Sequence, residues 1–475
     1  MAAVQVAGYE LALVAAVGIL LLGLDDLLFD AMWLARGRQA RATAAAASDC
    51  GPAETGPLAI FVPAWQEAAI LPATVQRMLS CWRGENIRIY LGCYLNDAAT
   101  LFAVSRLVAR DERLRLVIAA ADGPTSKADN LNQMWQAMGA DERTLGLRFA
   151  GVVLHDAEDM VHPEEIALYR AHLPSAAMVQ IPVEPLLTSA GALVAAHYAD
   201  EFAEAHAKEL VLRSAFGAGL PSAGVGCAFT RRALTLLALE RPDGPFNADS
   251  LTEDYEVGLT LAARGLTCRF VTAAAVDGGR IATRSAFPAT LEAAVRQKGR
   301  WITGIAFAAW DRLDWGGARV GGAGDTLRPW SVRLLTAWML WRDRRAALSA
   351  VIILVAYVAL LIAGLDLAAR QLGLWPAAAT DPALRLLLVV NALLLCWRLA
   401  MRAAFVAVVY GWRQGLLAIP RAFVSNIIHM LAARRALVKY GRQICRQEFV
   451  WDKTHHDAPV STAAPAAASR QGFGG

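Results

Sequence analysis

Phe149-Ala-Gly-Val-Val-Leu-His-Asp-Ala-Glu-Asp159 is an apolar strand that runs directly into three acids. In an extended backbone Asp156 and Glu158 project to the same side. Acidic side chains at a strand end are costly to crowd together unless a cation compensates. Oxygen ligands with a diphosphate suit Mg2+ or Mn2+, which makes Asp156, Glu158 and Asp159 candidate metal ligands. The bland alternative is a polar loop with capping carboxylates, but a strand this apolar, ended by acids, favours the metal.

Similar short β-rich runs occur at Leu58–Pro63, Ile87–Tyr94, Leu114–Ala119 and Val179–Val183, and helical patterns separate most of them. Alternation of strand and helix implies an α/β domain with a mostly parallel sheet. Ligands in such sheets bind beyond the carboxyl ends of the strands. The first strand ends at Pro63 and is followed by Glu67, which could accept hydrogen bonds from a nucleobase or ribose, or simply complement a helix dipole. Asn96 and Asp97 follow the second strand, where either could cap a helix. Lys127 follows the third, near a helix N-terminus that would suit a diphosphate.

Further along, Gly224-Val-Gly-Cys-Ala-Phe229 is glycine-rich enough for close backbone approach to a ligand, with a tight turn as the alternative; Gly226 and Cys227 are its candidate site residues. Leu251-Thr-Glu-Asp-Tyr-Glu256 opens a helix that Thr252 or Asp254 could cap. Arg296-Gln-Lys-Gly-Arg-Trp301 lies on an amphipathic segment ahead of a long apolar run.

The flanks are membrane-like. Ala2 to Leu24 is apolar apart from Glu10, and no Lys or Arg precedes it, which disfavours a cleaved signal peptide. Arg36, Arg38 and Arg41 follow it, so the positive-inside rule places the next domain in the cytoplasm. Asp25, Asp26 and Asp30 at the inner end read as wetted interfacial residues. Leu348–Leu365 and Leu384–Val409 are also long enough to span. Leu416–Leu437 mixes apolar residues with Arg421, Arg434 and Arg435, and reads as an interfacial helix in preference to a fourth span. The chain has 475 residues, 56% hydrophobic and 19% charged, with a net charge of +4. No basic face stands out, so nucleic acid is not an expected partner. The seven scattered cysteines are odd in number and contain no CxxC pair, which argues against a zinc site or disulfide framework and suggests a reducing compartment.

The order of these pieces resembles the family 2 glycosyltransferases, particularly the membrane polysaccharide synthases related to cellulose, chitin and hyaluronan synthases. The matching residues are Glu67, Asp97, Asp156–Asp159, Thr252-Glu253-Asp254 and Gln297-Lys-Gly-Arg300-Trp301. His155–Asp159 and Trp451-Asp-Lys-Thr-His455 resemble the phage-adsorption protein B group of that family. HDAED departs from the usual DxD, so the metal pair is Asp156 with Glu158 or with Asp159. The chain stops soon after the WDKT-H stretch, which counts against direct control by cyclic di-GMP.

The resemblance implies an α/β GT-A-type nucleotide-sugar-binding domain plus transmembrane and interfacial α-helices in a bacterial inner membrane. The expected layout is a transmembrane helix at 1–30, a linker at 31–57, the catalytic domain at 58–310, interfacial helices at 311–345, two transmembrane helices at 346–411, an interfacial helix with the WDKT-H segment at 412–457, and a disordered tail at 458–475. It further implies a UDP-sugar donor, Mg2+ or Mn2+, and a polysaccharide or lipid-linked acceptor, with an outer-membrane export partner left open. Glu67, Asp97 and Lys127 would serve the nucleotide and Asp254 would be the base. Gln297, Arg300, Trp301, Gly226 and Cys227 would serve the acceptor and diphosphate. Three alternatives stand beside polymer synthesis: transfer of one sugar to a lipid carrier, a catalytically idle membrane scaffold, and a nucleotidyltransferase.

The arginine distribution generates a topology test. A reporter fused near Ala458 is expected to behave as cytoplasmic and one in the Leu372–Ala383 loop as periplasmic. Both reporters on one side would overturn the three-span layout.

Overall fold

A computed structural model of the chain describes residues 2–45, 56–187, 193–313, 315, 329–374 and 381–446. The WDKT-H segment and the tail expected at 458–475 lie outside the described residues. The strands are β1 (Leu58–Pro63), β2 (Ile87–Tyr94), β3 (Leu114–Ala119), β4 (Gly151–Leu154), β5 (Met178–Gln180), β6 (Val183–Pro185), β7 (Cys227–Thr230), β8 (Cys268–Phe270) and β9 (Thr283–Ser285). The main sheet has the order β3-β2-β1-β4-β7-β5-β8, and β6 pairs with β9 separately. Strands β1 to β4 run parallel, as do β5 and β8, while β7 is antiparallel to both β4 and β5.

Burial follows position in the sheet. β1 is central and buried along nearly its whole length, which is why it reads as a continuous apolar run. β3 is an edge strand, and Arg115 and Ile118 on it are exposed. The segment Val179–Val183 divides between the two sheets. Pro182 sits at the break, and it has no amide N–H to continue a ladder.

The helices are α1 (Ala2–Ala45), α2 (Leu71–Cys81), α3 (Ala98–Val108), α4 (Lys127–Leu145), α5 (Glu165–His172), α6 (Leu193–Glu204), α7 (Leu210–Phe216), α8 (Arg231–Ala238), α9 (Glu253–Ala263), α10 (Leu291–Ile302), α11 (Ala309–Leu313), α12 (Trp330–Arg344), α13 (Ala346–Gln371), α14 (Pro382–Tyr410) and α15 (Trp412–Arg446). α1 continues well into the stretch expected to be a linker, because Ala, Arg and Gln after Met32 favour helix and no proline interrupts them.

Among the described residues, four helices are long and apolar enough to cross a membrane: α1, α13, α14 and α15, judged by length and composition. The sequence reading placed α15 at the interface, and its length and composition also qualify it as a span. α15 packs against α14 and α13 and also against α10 and α6 of the sheet domain. Its inward side carries Arg421, Ser425, Ile428, Ala432 and Ala436, and its outward side Leu416, Phe423 and Ile427.

Asp30 is buried and Asp25 and Asp26 partly so, and all three pair with protein donors where the sequence reading left them to water. Asp25 accepts from Arg342, from Arg345 at 2.6 Å and from the Trp338 indole at 2.6 Å. Asp26 pairs with Arg342 at 2.9 Å, Arg345 at 2.6 Å and Arg398 at 3.1 Å. Asp30 is buried and accepts from Lys208 at 2.5 Å and from the Trp397 indole at 3.0 Å. These contacts join α1 to α12, α14 and the turn between α6 and α7.

A second buried joint holds α15 to α6. The Arg421 guanidinium donates to both Asp200 oxygens, at 2.6 and 2.8 Å, and to Gln414. Removing one member of a buried pair strands the other charge. Asp200→Ala is therefore expected to destabilise the protein by about 3–5 kcal/mol. Thermal unfolding of purified protein in detergent checks this, and Asp200→Ala combined with Arg421→Met should recover part of the loss.

Candidate active site

The carboxyl ends of β1, β2 and β4 open onto one cleft, closed on the far side by α9 and α10. Eight of the candidate residues line it: Glu67, Lys127, Asp156, Glu158, Asp254, Gln297, Arg300 and Trp301. The strand ends and helix starts carry most of these side chains, so short local segments aim them.

After β1 the chain turns through Gln66 at φ 57°, a left-handed conformation uncommon for a residue with a side chain. Asp97 holds that turn by accepting from the Gln66 amide at 2.6 Å, and it also caps α3 through the Thr100 amide. The Glu67 amide donates to the Thr100 hydroxyl at 3.0 Å. Asp97 thus shapes the loop that presents Glu67, and its carboxylate does not itself line the cleft.

Lys127 opens α4, which Ser126 caps. Its ammonium pairs with Asp156 at 2.5 Å. Burial opposes its charge, but Asp156, Glu253 and Asp254 outweigh that and hold the ammonium above its usual range.

The three acids after β4 separate by role. Asp159 accepts from the Asp156 amide at 3.0 Å, pairs with His155 Nδ1 at 3.0 Å, and accepts from the Ser285 hydroxyl. Both of its oxygens are engaged beneath the cleft, whereas Asp156 and Glu158 line it. His155 also pairs with Glu165 at 2.9 Å. Burial opposes the imidazolium, but Glu165 and Asp159 prevail and raise its pKa to about 10. Glu158 faces the cleft, and burial followed by Asp156, Asp159 and Glu67 pushes its carboxyl well above the usual range. That crowding is what a divalent cation relieves, so the residues fit one. Among the described residues no group of three or more His, Cys, Asp or Glu side chains forms a ready metal cage. A nucleotide diphosphate would have to supply the remaining oxygens.

On the opposite wall Glu253 and Asp254 begin α9. Burial and then Asp254 push Glu253 up to about 7. Burial also raises Asp254, against the opposing charge of Lys127. The glycine-rich segment serves this wall: Gly224 has φ 74°, and a Cβ there would lie 2.3 Å from Asp254 Oδ2. Gly226, at φ 59°, lies against Thr283, and Cys227 is buried within β7 with its sulfur accepting from the Ser222 hydroxyl. The close approach made by this segment is therefore to protein side chains, and neither Gly226 nor Cys227 lines the cleft.

Four aromatic residues of the lining carried no local signal in the sequence: Trp65, Tyr94, Phe202 and Phe287. Trp65 and Tyr94 meet edge to face, 5.3 Å apart, beside Glu67. Phe202 and Phe287 pack at 5.1 Å next to Trp301.

Residues 55–304 match the family described as "Glycosyltransferase like family 2". Bacteriophage adsorption protein B of Escherichia coli K12 is 35% identical over 429 residues, covering 86% of this chain and 55% of the relative. Bacteriophage N4 adsorption protein B of Escherichia coli O157:H7 matches to the same extent. The chain thus spans about half the length of these curated relatives. A mannosyltransferase of Pyrobaculum calidifontis, solved in complex with GDP-Man and Mn2+, superposes with a TM-score of 0.50 over 90% of this chain and 99% of that one. At 17% identity the likeness is one of fold.

The Gly224 contact yields a direct test. Gly224→Ala adds a methyl where Asp254 already sits, at a backbone angle that L side chains rarely adopt. With Asp254 as the expected base, transfer by purified Gly224→Ala protein is expected to fall by about a hundredfold, as for a displacement of about an ångström, while the unfolding midpoint moves little.

Proposed function

The chain belongs to glycosyltransferase family 2, and we propose that it transfers a sugar from a UDP-sugar to a growing polysaccharide, inverting the anomeric carbon. The observation that carries this reading is the single cleft with nucleotide-suited groups on one wall and Asp254, Arg300 and Trp301 on the other. The proposed setting is a bacterial inner membrane, with the cleft on the cytoplasmic side.

Glu67 accepts hydrogen bonds from the uridine, between Trp65 and Tyr94. Lys127 and Arg300 offer positive charge to the diphosphate. Asp156 and Glu158 would hold Mg2+ or Mn2+, which would supply positive charge against the leaving diphosphate. Trp301 provides a flat apolar face for the acceptor sugar. Asp254 takes the proton from one acceptor hydroxyl. That oxygen forms the new bond to the anomeric carbon as the bond to the diphosphate breaks and its electron pair leaves with UDP. A base with a raised pKa is better matched to an alcohol proton than an ordinary carboxylate, and stays ionised above that pKa.

Membranes containing the protein are to be incubated with labelled UDP-glucose, UDP-N-acetylglucosamine and GDP-mannose, and the product sized. Consumption of a UDP-sugar into long product is expected. Asp254→Asn should lower transfer by at least about a hundredfold with nucleotide affinity nearly unchanged. Single-sugar lipid product would replace polymer synthesis by lipid-carrier transfer, and no consumption of any donor would favour an idle scaffold.

A further inference from the structure

Four consecutive residues at the junction of α12 and α13, Arg342-Asp343-Arg344-Arg345, reach in three directions. Arg342 and Arg345 grip Asp25 and Asp26 of α1. The Arg344 guanidinium lies over Trp310 and Trp315, 5.1 and 4.8 Å from their ring centres, on the segment that continues from the helix bearing Arg300 and Trp301. Asp343 accepts from the Tyr255 hydroxyl at 2.7 Å and from Arg213 at 2.5 Å. Arg213 is buried and also donates to Glu209 at 2.8 Å and to the Met339 carbonyl at 3.2 Å.

Tyr255 immediately follows Asp254 in the first turn of α9. The two side chains diverge: Asp254 lines the cleft, and Tyr255 is buried against Leu259, Ala309, Leu313 and Leu340. Packing alone would be met by phenylalanine. The hydroxyl is what the packing leaves to explain, and its acceptor is Asp343. Burial and then Asp343 push the Tyr255 phenol well above its ordinary range, so it remains a donor. On the cleft side the Asp254 carboxylate is wedged against Gly224, where a single methyl would collide. A small rotation of the first turn of α9 therefore moves the carboxylate relative to whatever occupies the cleft.

We propose that Tyr255 and Asp343 are positioning residues for the reaction: their hydrogen bond, braced by Arg213, sets the rotation of α9 and so aims Asp254 at the acceptor hydroxyl. This rests on the reading of Asp254 as the base. Neither residue lines the cleft, so the bond acts through Asp254 and contributes no contact to donor or acceptor.

The test uses the full chain in lipid nanodiscs, with Tyr255→Phe, Asp343→Asn, the double variant and Asp254→Asn. The donor is whichever of UDP-glucose, UDP-N-acetylglucosamine and GDP-mannose the unaltered protein turns over, and nucleoside diphosphate release is the readout. Tyr255→Phe removes one hydroxyl and keeps the packing, so it separates aim from folding; unfolding midpoints accompany every rate. Tyr255→Phe and Asp343→Asn are each expected to lower kcat by about ten- to a hundredfold and to leave the donor KM within about twofold. Asp343→Asn keeps only one acceptor oxygen and so cannot take both Tyr255 and Arg213; the double variant should lose no more than the more impaired single, since both act on the one Tyr255–Asp343 contact. A normal kcat for Tyr255→Phe beside an inactive Asp254→Asn overturns the positioning role alone. A donor KM that rises in step with the loss, or losses that multiply in the double variant, overturns it as well. A normal rate for Asp254→Asn sinks the base assignment instead.

Discussion

Charge drawn out of water has to be matched, and in this chain that requirement fixes how the membrane helices meet the sheet domain. Apolar packing along α1 would tolerate many rotations and shifts, because one lipid-facing side chain replaces another at little cost. Three aspartates within two turns of α1 do not tolerate them. Asp25, Asp26 and Asp30 find Lys208, the Arg342 and Arg345 pair, and Arg398, which come from three separate parts of the chain. Their pairing ties α1 to α12, α14 and the α6–α7 turn at once. Glu204 extends the set, taking Lys208 at 2.7 Å and Arg402 at 3.1 Å. The cleft is built on elements that this lattice holds, since α9 reaches it through Tyr255 and Asp343, and α11, which continues from α10, through Trp310 and Arg344.

Some of this was legible in the chain and some was not, for physical reasons. β1, β2 and β3 have the bounds that their apolar runs suggest, because each is buried over much of its length: β1 along nearly all of it, and even the edge strand β3 at Leu114, Val117 and Ala119. β7, β8 and β9 were missed. They have three or four residues each, and so short a segment has no period to detect. The antiparallel insertion of β7 is equally invisible, since direction is decided by partners far along the chain. Among the site residues, the acids and bases at strand ends could be found because their chemistry is unusual for their place. The aromatic lining could not, because Phe202 and Phe287 look like core until the cleft is assembled. The sorting of the acids also needed tertiary partners. Asp97 and Asp159 are chemically equivalent to their neighbours in sequence, and only the Gln66 amide, His155 and Ser285 assign them to support. The aspartates of α1 are the converse case: read as solvated residues at the end of a helix, they lie inside one that runs on to Ala45, and the arginine partners of Asp26 lie more than 300 residues away.

His155 shows how support and chemistry are separated at this site. A buried imidazolium between Asp159 and Glu165 anchors the end of β4 from below, in a place water does not reach. Tyr169 donates to Glu165 at 2.9 Å, which ties the same anchor to α5. Asp156 and Glu158 then stand on a loop whose base is rigid, while their own oxygens remain on the cleft side. Preorganisation of this kind places the cost of crowding carboxylates in folding, ahead of any encounter with substrate.

The ionisable lining of the cleft has one more consequence, for the order in which it fills. Five carboxyl groups, those of Glu67, Asp156, Glu158, Glu253 and Asp254, face two cationic side chains, Lys127 and Arg300. An excess of like charge concentrated between low-dielectric walls repels a bare diphosphate over several ångströms. Under the proposed function, a nucleotide sugar arriving alone would meet a barrier that one arriving already chelated would not. The cleft would in this sense act as a filter for complexed donor, with the divalent ion an admission requirement before it takes any part in the reaction. Product release would be subject to the same field, which would expel a diphosphate once its counterion departs.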